Sequence, residues 1–120
     1  MADFPAFMKT RANLIPTTAQ FTDDIEGYVF DGVDGSQVAF WTCTQDRESV
    51  VHTHDFDEYI LVGEGHATVR TGETTTVLEA GQELVVPRGT PQSMAVSAGT
   101  RTIHVFGGPR VQRSVLPAQA

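Results

Sequence analysis

Three side chains that can bind a metal ion lie within seven positions of each other: His52, His54 and Glu58. In a β-strand, residues two apart share a face, so the two imidazoles would lie side by side with Cα atoms about 6.5–7 Å apart. In a helix, only His54 and Glu58 would share a face. The β-branched residues around the histidines favour the strand. Two histidines and one carboxylate form a recognised ligand set for iron, manganese and related ions.

The elements that must position these residues are short and extended. Runs of β-branched and apolar residues alternate with Gly, Pro or Asp at intervals of about ten residues, which is typical of antiparallel β-proteins. We predict an all-β fold, an antiparallel jelly-roll sandwich or barrel with little helix, formed by residues 21–120 behind an N-terminal arm of residues 1–20. The predicted strands are 26–30, 37–44, 49–54, 58–62, 67–71, 74–78, 83–86, 92–96 and 101–106.

Composition and charge restrict the partners. The chain has 120 residues, of which 40% are hydrophobic and 19% charged, as expected for one globular domain. A net charge of −7 repels a phosphate backbone, so we expect no nucleic-acid partner. Apolar runs such as 59–62 are too short to cross a membrane, and the opening residues do not resemble a secretory signal. The single cysteine, Cys43, excludes an internal disulfide. We expect a cytoplasmic protein that binds a small molecule.

Residues 46–96 resemble the two motifs of the cupin superfamily, in the form found in small single-domain bacterial cupins (the cupin 2 conserved-barrel family). The first motif reads G-x5-H-x-H-x3(or 4)-E-x6-G. His52, His54, Glu58 and Gly65 match it in register, while Asp46 stands where the first glycine is expected.

The second cupin motif reads G-x5-P-x-G-x2-H-x3-N and is matched in part. Gly81, Pro87 and Gly89 lie in register. Gln92 stands where the family has its fourth metal ligand, a histidine, and Val96 replaces the asparagine. The resemblance implies a cupin barrel.

The resemblance also implies one divalent transition metal (iron, manganese, nickel or zinc) held by His52, His54, Glu58 and Gln92. A carboxamide oxygen is a weaker donor than an imidazole. Gln92 therefore has three possible roles: a fourth ligand, a hydrogen-bond partner of substrate or water, or the mark of a site that has lost tight metal binding.

Further residues are expected around this site. Glu58 is a candidate general base when it does not bind metal, and His104 is a candidate base or substitute ligand, although core histidines are more common. Met94 shares a strand face with Gln92, and Ile60 shares one with Glu58, so both are expected to line a pocket. Either Phe40 or its neighbour Trp41 faces inward, and we assign Phe40 to substrate binding together with Gln92, Met94 and Ile60. Three further arginines are candidate carboxylate receptors, although each alone is more often a surface ion-pair partner: Arg70, Arg88 and Arg101.

Two function classes follow from the resemblance. The first is a small metal-dependent enzyme, a dioxygenase, isomerase or lyase. It would act on an oxo or hydroxy acid, a sugar derivative or a diketone-like compound, by oxygenation or by metal-assisted proton transfer. The alternative is a non-enzymatic cupin that binds or senses a small molecule. The resemblance also implies a homodimer, in which the arm either exchanges between subunits or closes over its own barrel mouth.

Overall fold

The computed structural model describes residues 3–113 and confirms the predicted fold class. Three 3-10 helices, Ala6–Met8, Arg11–Asn13 and Thr17–Ala19, precede the strands. None of the helices in this part of the chain has the length and apolar character needed to cross a bilayer. The nine strands are β1 Glu26–Asp31, β2 Gln37–Cys43, β3 Arg47–Glu48, β4 Glu58–Glu64, β5 His66–Thr71, β6 Thr74–Glu79, β7 Glu83–Val86, β8 Gln92–Val96 and β9 Thr100–Phe106.

The strands form two antiparallel sheets that pack face to face without closing into a continuous barrel. One sheet has the order β1-β2-β9-β4-β7 and the other β3-β8-β5-β6. Alternate residues of β4 point into the space between the sheets, where Ile60 and Val62 pack against Val69 and Val96. Burial of each such side chain contributes about 1.5–3 kcal/mol, which fixes the register of the central strands.

The N-terminal arm packs against its own chain. The backbone N–H of Ile15 donates to the carbonyl of Gly27 at 2.9 Å, so the arm extends the edge of β1. Ile15 is buried, and the ring of Phe4 lies 4.8 Å from that of Phe40 on the outer face of the larger sheet. Exchange of this arm within a homodimer remains a prediction. Residues 1–2 of the predicted arm and residues 114–120 of the predicted barrel lie outside the described part of the chain.

The segment that carries the two histidines differs from the predicted strand 49–54. Regular pairing covers only Arg47 and Glu48, followed by an isolated bridge between His52 and Gln92. Glu48 pairs with Ala95, and His52 pairs with Gln92. Four residue steps in this segment, from 48 to 52, therefore lie opposite three steps in β8, from 95 to 92. This extra residue forms a β-bulge, because the N–H of Val50 leaves the ladder and donates to the carbonyl of Phe21, the residue that follows the arm.

The bulge decides which face His52 occupies. Directly opposed residues of an antiparallel pair point to the same side of the sheet. Ala95 faces away from the core side of β8, so an unbroken strand would turn His52 outward with Glu48. The one-residue shift places His52 opposite Gln92 instead, and both side chains enter the space between the sheets.

Candidate functional site

A pocket lies between the two sheets and contains most of the predicted site residues. Its free volume is about 60 Å³, less than half of the roughly 150 Å³ that accommodates a benzene molecule. It therefore accepts an ion together with a few heavy atoms of a ligand. The polar and charged residues that line it include His52, His54, Glu58, Gln92, Thr102, His104 and Arg110, and the apolar ones include Phe21, Ile25, Trp41, Cys43, Ile60, Met94, Val96 and Phe106.

His52 and His54 present neutral imidazoles to this pocket. Nδ1 of His52 lies 2.8 Å from the carbonyl oxygen of Val50. Because a carbonyl can only accept, Nδ1 carries the proton and Nε2 has a free lone pair. The His52 ring stacks on Phe21 with centroids 3.9 Å apart and lies 4.9 Å from the ring of His54. Burial lowers the pKa of both rings. For His54 the pKa falls to about 4, although the negative charge of Glu58 acts in the opposite direction. Both rings are therefore unprotonated at neutral pH.

The two oxygens of Glu58 have different surroundings. Oε2 accepts a hydrogen bond from Nδ1 of His104 at 2.7 Å, and Nε2 of His104 lies 2.9 Å from the hydroxyl of Thr102. Oε1 is buried, has no hydrogen-bond partner in the part of the chain that the structure describes, and lies 3.6 Å from Nε2 of His54. Burial alone would raise the pKa of Glu58, but the His104 hydrogen bond and the nearby histidines lower it overall. The amide of Gln92 lies close enough to act in the same direction without forming a regular hydrogen bond to Oε1.

These donors fit a divalent metal in part. Two atoms that bind the same ion at about 2.1 Å must lie within about 4.2 Å of each other. Oε1 of Glu58 and Nε2 of His54, which are 3.6 Å apart, meet this condition. A buried carboxylate oxygen without a partner is also the group that a cation would satisfy. Among residues 3–113, however, no three His, Cys, Asp or Glu side chains are already placed around one point. Binding by the full set would therefore require a rearrangement of these side chains.

The structure places the predicted substrate-binding residues in two groups. Ile60, Gln92 and Met94 line the pocket, as does His104. The assignment of Phe40 to substrate binding is wrong, because this residue lies on the outer face of the larger sheet and stacks with Tyr28 and Phe30 there.

Trp41 occupies the inward position that was assigned to Phe40. Its indole N–H donates to Gln20 at 2.7 Å, and its ring lies edge-on to His104 with centroids 4.8 Å apart. Gly27 lies directly opposite on β1, where an added Cβ would come within 2.1 Å of the indole nitrogen. The absence of a side chain at Gly27 therefore allows Trp41 to face inward.

Several pocket residues were not predicted from the sequence, among them Arg110 and Phe21. Arg110 follows β9 after the turn-forming residues 107–109, and Phe21 directly follows the arm, so neither belongs to a periodic strand. A Gly-Gly-Pro turn directly after the last strand was the available signal that the chain bends back toward the site. Cys43 also lines the pocket, and burial raises the pKa of its thiol to about 11, so it is not a nucleophile at neutral pH.

We predict that the metal-free protein loses stability as the pH falls from about 6.5 to about 4. The unfolded chain binds a proton at His54 below its ordinary pKa of 6.5, whereas the folded chain does so only near 4. Within that window the unfolded state holds more protons, so the free energy of unfolding decreases by roughly 2–3 kcal/mol. Urea unfolding of chelator-treated protein across this pH range measures the effect. His54→Gln should flatten the dependence, and an unchanged slope in that variant would contradict the assignment, while His66→Gln at the exposed turn serves as control.

Comparison with known proteins identifies the fold family. Residues 40–106, more than half of the chain, match the model of the cupin domain (Cupin_2). Similar solved structures include an RmlC-like cupin from Shewanella frigidimarina (TM-score 0.67, 17% identity, 87% of this chain and 86% of that one). Others are a cupin superfamily protein from Desulfitobacterium hafniense (TM-score 0.65, 13% identity, 70% and 77%) and KdgF from a Halomonas species (TM-score 0.63, 15% identity, 77% and 89%). At these identities the structures show the fold alone, and no curated protein matches the chain significantly. The match to the family model covers both motifs, and the two-sheet fold agrees with it. The chain therefore belongs to the cupin family.

Proposed function

We propose that this cupin is a small metal-dependent enzyme that catalyses proton transfer on a small polar metabolite inside the pocket. The observation that carries the proposal is the asymmetry of Glu58. One of its buried oxygens is fixed by His104, and the other faces His54 and has no hydrogen-bond partner among residues 3–113. A buried carboxylate oxygen of this kind calls for a partner such as an ion, a water molecule or a bound ligand.

His52, His54 and Glu58 would hold the metal, and Gln92 would serve as a fourth ligand or orient a bound molecule. The neutral state of both imidazoles at neutral pH supports this role, since a metal ligand must be unprotonated. When bound, a divalent ion would polarise a carbonyl or carboxylate of the substrate and acidify an adjacent C–H bond.

The pairing of Glu58 with His104 favours proton transfer over oxygenation. At neutral pH Glu58 is a carboxylate whose Oε2 is hydrogen-bonded to an imidazole. With Oε1 on the metal, this pair of Oε2 and His104 would accept a proton from the substrate and share it between two atoms 2.7 Å apart. The hydroxyl of Thr102 holds the other nitrogen of His104, so the ring cannot rotate away. Isomerisation or elimination are the reaction classes that use this chemistry.

A second candidate function is a cupin that binds its ligand without a metal. The specific observation in its favour is that the described residues contain no ready-made group of three metal-ligating side chains. In that case the two histidines would contact the ligand directly as hydrogen-bond partners.

The test is a metal titration of purified, chelator-treated protein with iron, manganese, nickel and zinc, in parallel with the His52→Ala variant. We expect about one equivalent of metal in the parent protein and at least a tenfold weaker affinity in the variant, because one neutral donor is lost. Circular dichroism checks that the variant retains the β-fold.

The reaction class is tested on the metal-loaded protein. Metal-dependent incorporation of solvent deuterium into small oxo or hydroxy acids, followed by proton NMR, is the expected result. Oxygen consumption without deuterium incorporation would replace proton transfer by oxygenation. A protein that binds none of the four metals would favour the non-enzymatic alternative.

A further inference from the structure

The guanidinium of Arg110 has no acidic partner among the residues that the structure describes. Its Nη1 is buried and makes no hydrogen bond there. Five other arginines each pair with a carboxylate: Arg47, Arg70, Arg88, Arg101 and Arg113. The three arginines considered from the sequence as carboxylate receptors, Arg70, Arg88 and Arg101, thus already have protein partners. Arg110 differs from all of these because it lines the pocket.

Aromatic rings surround Arg110 and offset only part of the cost of burying its charge. The guanidinium carbon lies 5.4 Å from the centroid of Phe21, 5.1 Å from Trp41 and 5.3 Å from Phe106. Such cation–π contacts stabilise the buried charge but do not satisfy the N–H donors. Burial lowers the pKa of Arg110 to about 10, which leaves the group protonated at neutral pH. A permanently charged fork of donors therefore faces the pocket with an unused N–H.

The position of Arg110 indicates where a ligand enters. Phe21, His54 and Arg110 line both the inner pocket and a surface groove of about 470 Å³. The inner volume of about 60 Å³ is sufficient for a carboxylate and the carbon next to it, and the rest of a larger molecule would extend into the groove. The guanidinium fork matches carboxylates and phosphates alike, but an inner space of about 60 Å³ favours the smaller, planar carboxylate over a tetrahedral phosphoryl group.

We infer that Arg110 is the anion-recognition residue of the pocket and that the ligand carries a carboxylate. The inference deepens the proposed function by naming the substrate class, a small carboxylic acid held at one end by Arg110. It also gives a positive group to a site in a chain whose net charge is −7, which would otherwise repel such a ligand.

The experiment measures binding of lactate and pyruvate to chelator-treated protein by calorimetry and by thermal shift. Lactamide, which lacks the charge, and inorganic phosphate are titrated in the same way. Arg110→Gln is the test variant, and Arg101→Gln is the matched control. Arg101 also lies over an aromatic ring, that of Phe4 at 5.0 Å, and pairs with Glu64 away from the pocket.

We expect at least one of the two acids to bind and lactamide not to bind. Arg110→Gln should weaken acid binding roughly 10- to 100-fold, as expected for loss of a charge-assisted hydrogen bond, whereas Arg101→Gln should leave it unchanged. Failure of both acids to bind the parent protein at millimolar concentration would overturn the inference. So would equal affinity for the Arg110→Gln variant, or phosphate binding as tight as acid binding.

Two further comparisons apply if the variant does not fold or if the protein binds no metal. If Arg110→Gln does not fold, the comparison of acid and amide on the parent protein decides the matter, since equal binding of both overturns the inference. If the protein binds no metal but retains acid binding that depends on Arg110, the proposed metal-dependent function fails while the inference stands.

Discussion

Replacing Glu58 with glutamine is expected to weaken metal binding by roughly 100-fold or more while the two sheets remain folded. The carboxylate has two oxygens in use, one for His104 and one facing His54. A carboxamide offers only one oxygen and also loses the negative charge. If that oxygen accepts from His104, the NH2 group points at the metal position. If the amide turns round, two donors oppose each other at His104. Isothermal titration with the metal that the parent protein prefers measures the change.

Glu64→Gln is the matched control for this experiment. Glu64 lies on the same strand, β4, but its partner is Arg101 at 3.0 Å and it is absent from the pocket lining. We expect parent-like metal affinity in this variant. Equal affinities of the Glu58→Gln variant and the parent protein would remove Glu58 from the ligand set.

Replacing Gly65 with alanine is expected to destabilise the fold by about 3 kcal/mol or more. Gly65 has a φ of +81°, a region that costs energy for any residue with a Cβ. An added Cβ would also lie 2.8 Å from the Cα of Thr100, and backbone atoms cannot move aside cheaply. The hydroxyl of Thr100 hydrogen-bonds with the backbone of His66, so the clash would separate the turn between β4 and β5 from β9.

Gly72→Ala separates the two contributions to this loss. Gly72 has a φ of +61°, but an added Cβ there would meet no atom of residues 3–113 within 4 Å. We expect it to cost only about 1 kcal/mol, the backbone part alone. Urea unfolding at equilibrium measures both variants, and equal losses would show that Thr100 does not restrict this position.

The parts of the fold that could be predicted are those governed by local periodicity. Eight strands lie within two residues of their predicted bounds at each end, because alternation of apolar and polar residues determines which face is buried. The spacing of His52, His54 and Glu58, together with the cupin resemblance that added Gln92, predicted a set of side chains that the structure brings into one pocket.

The remaining features depend on contacts between distant segments, which periodicity does not reveal. The bulge at residues 49–51 accompanies a hydrogen bond from the N–H of Val50 to the carbonyl of Phe21, a residue far away in the sequence. The inward position of Trp41 requires Gly27 on the neighbouring strand. Arg110 reaches the site only because the chain turns after β9, where Gly108 lies against Phe56. Each of these features depends on a contact between two segments of the chain, and the sequence of neither segment alone indicates it.

The bulge has a consequence for anyone who alters this protein. Val50 and Val51 are exposed by 64% and 70%, so their side chains tolerate many replacements with little change in stability. Their number is a different matter. Removal of one residue would leave three steps on each side, so His52 would stay opposite Gln92, but the bulge would be lost together with the N–H that donates to Phe21, whose ring stacks on His52. The length of the segment therefore determines whether it holds Phe21 against His52. Sequence libraries directed at Val50 and Val51 should vary the side chains, exclude proline at position 50 and keep the number of residues fixed.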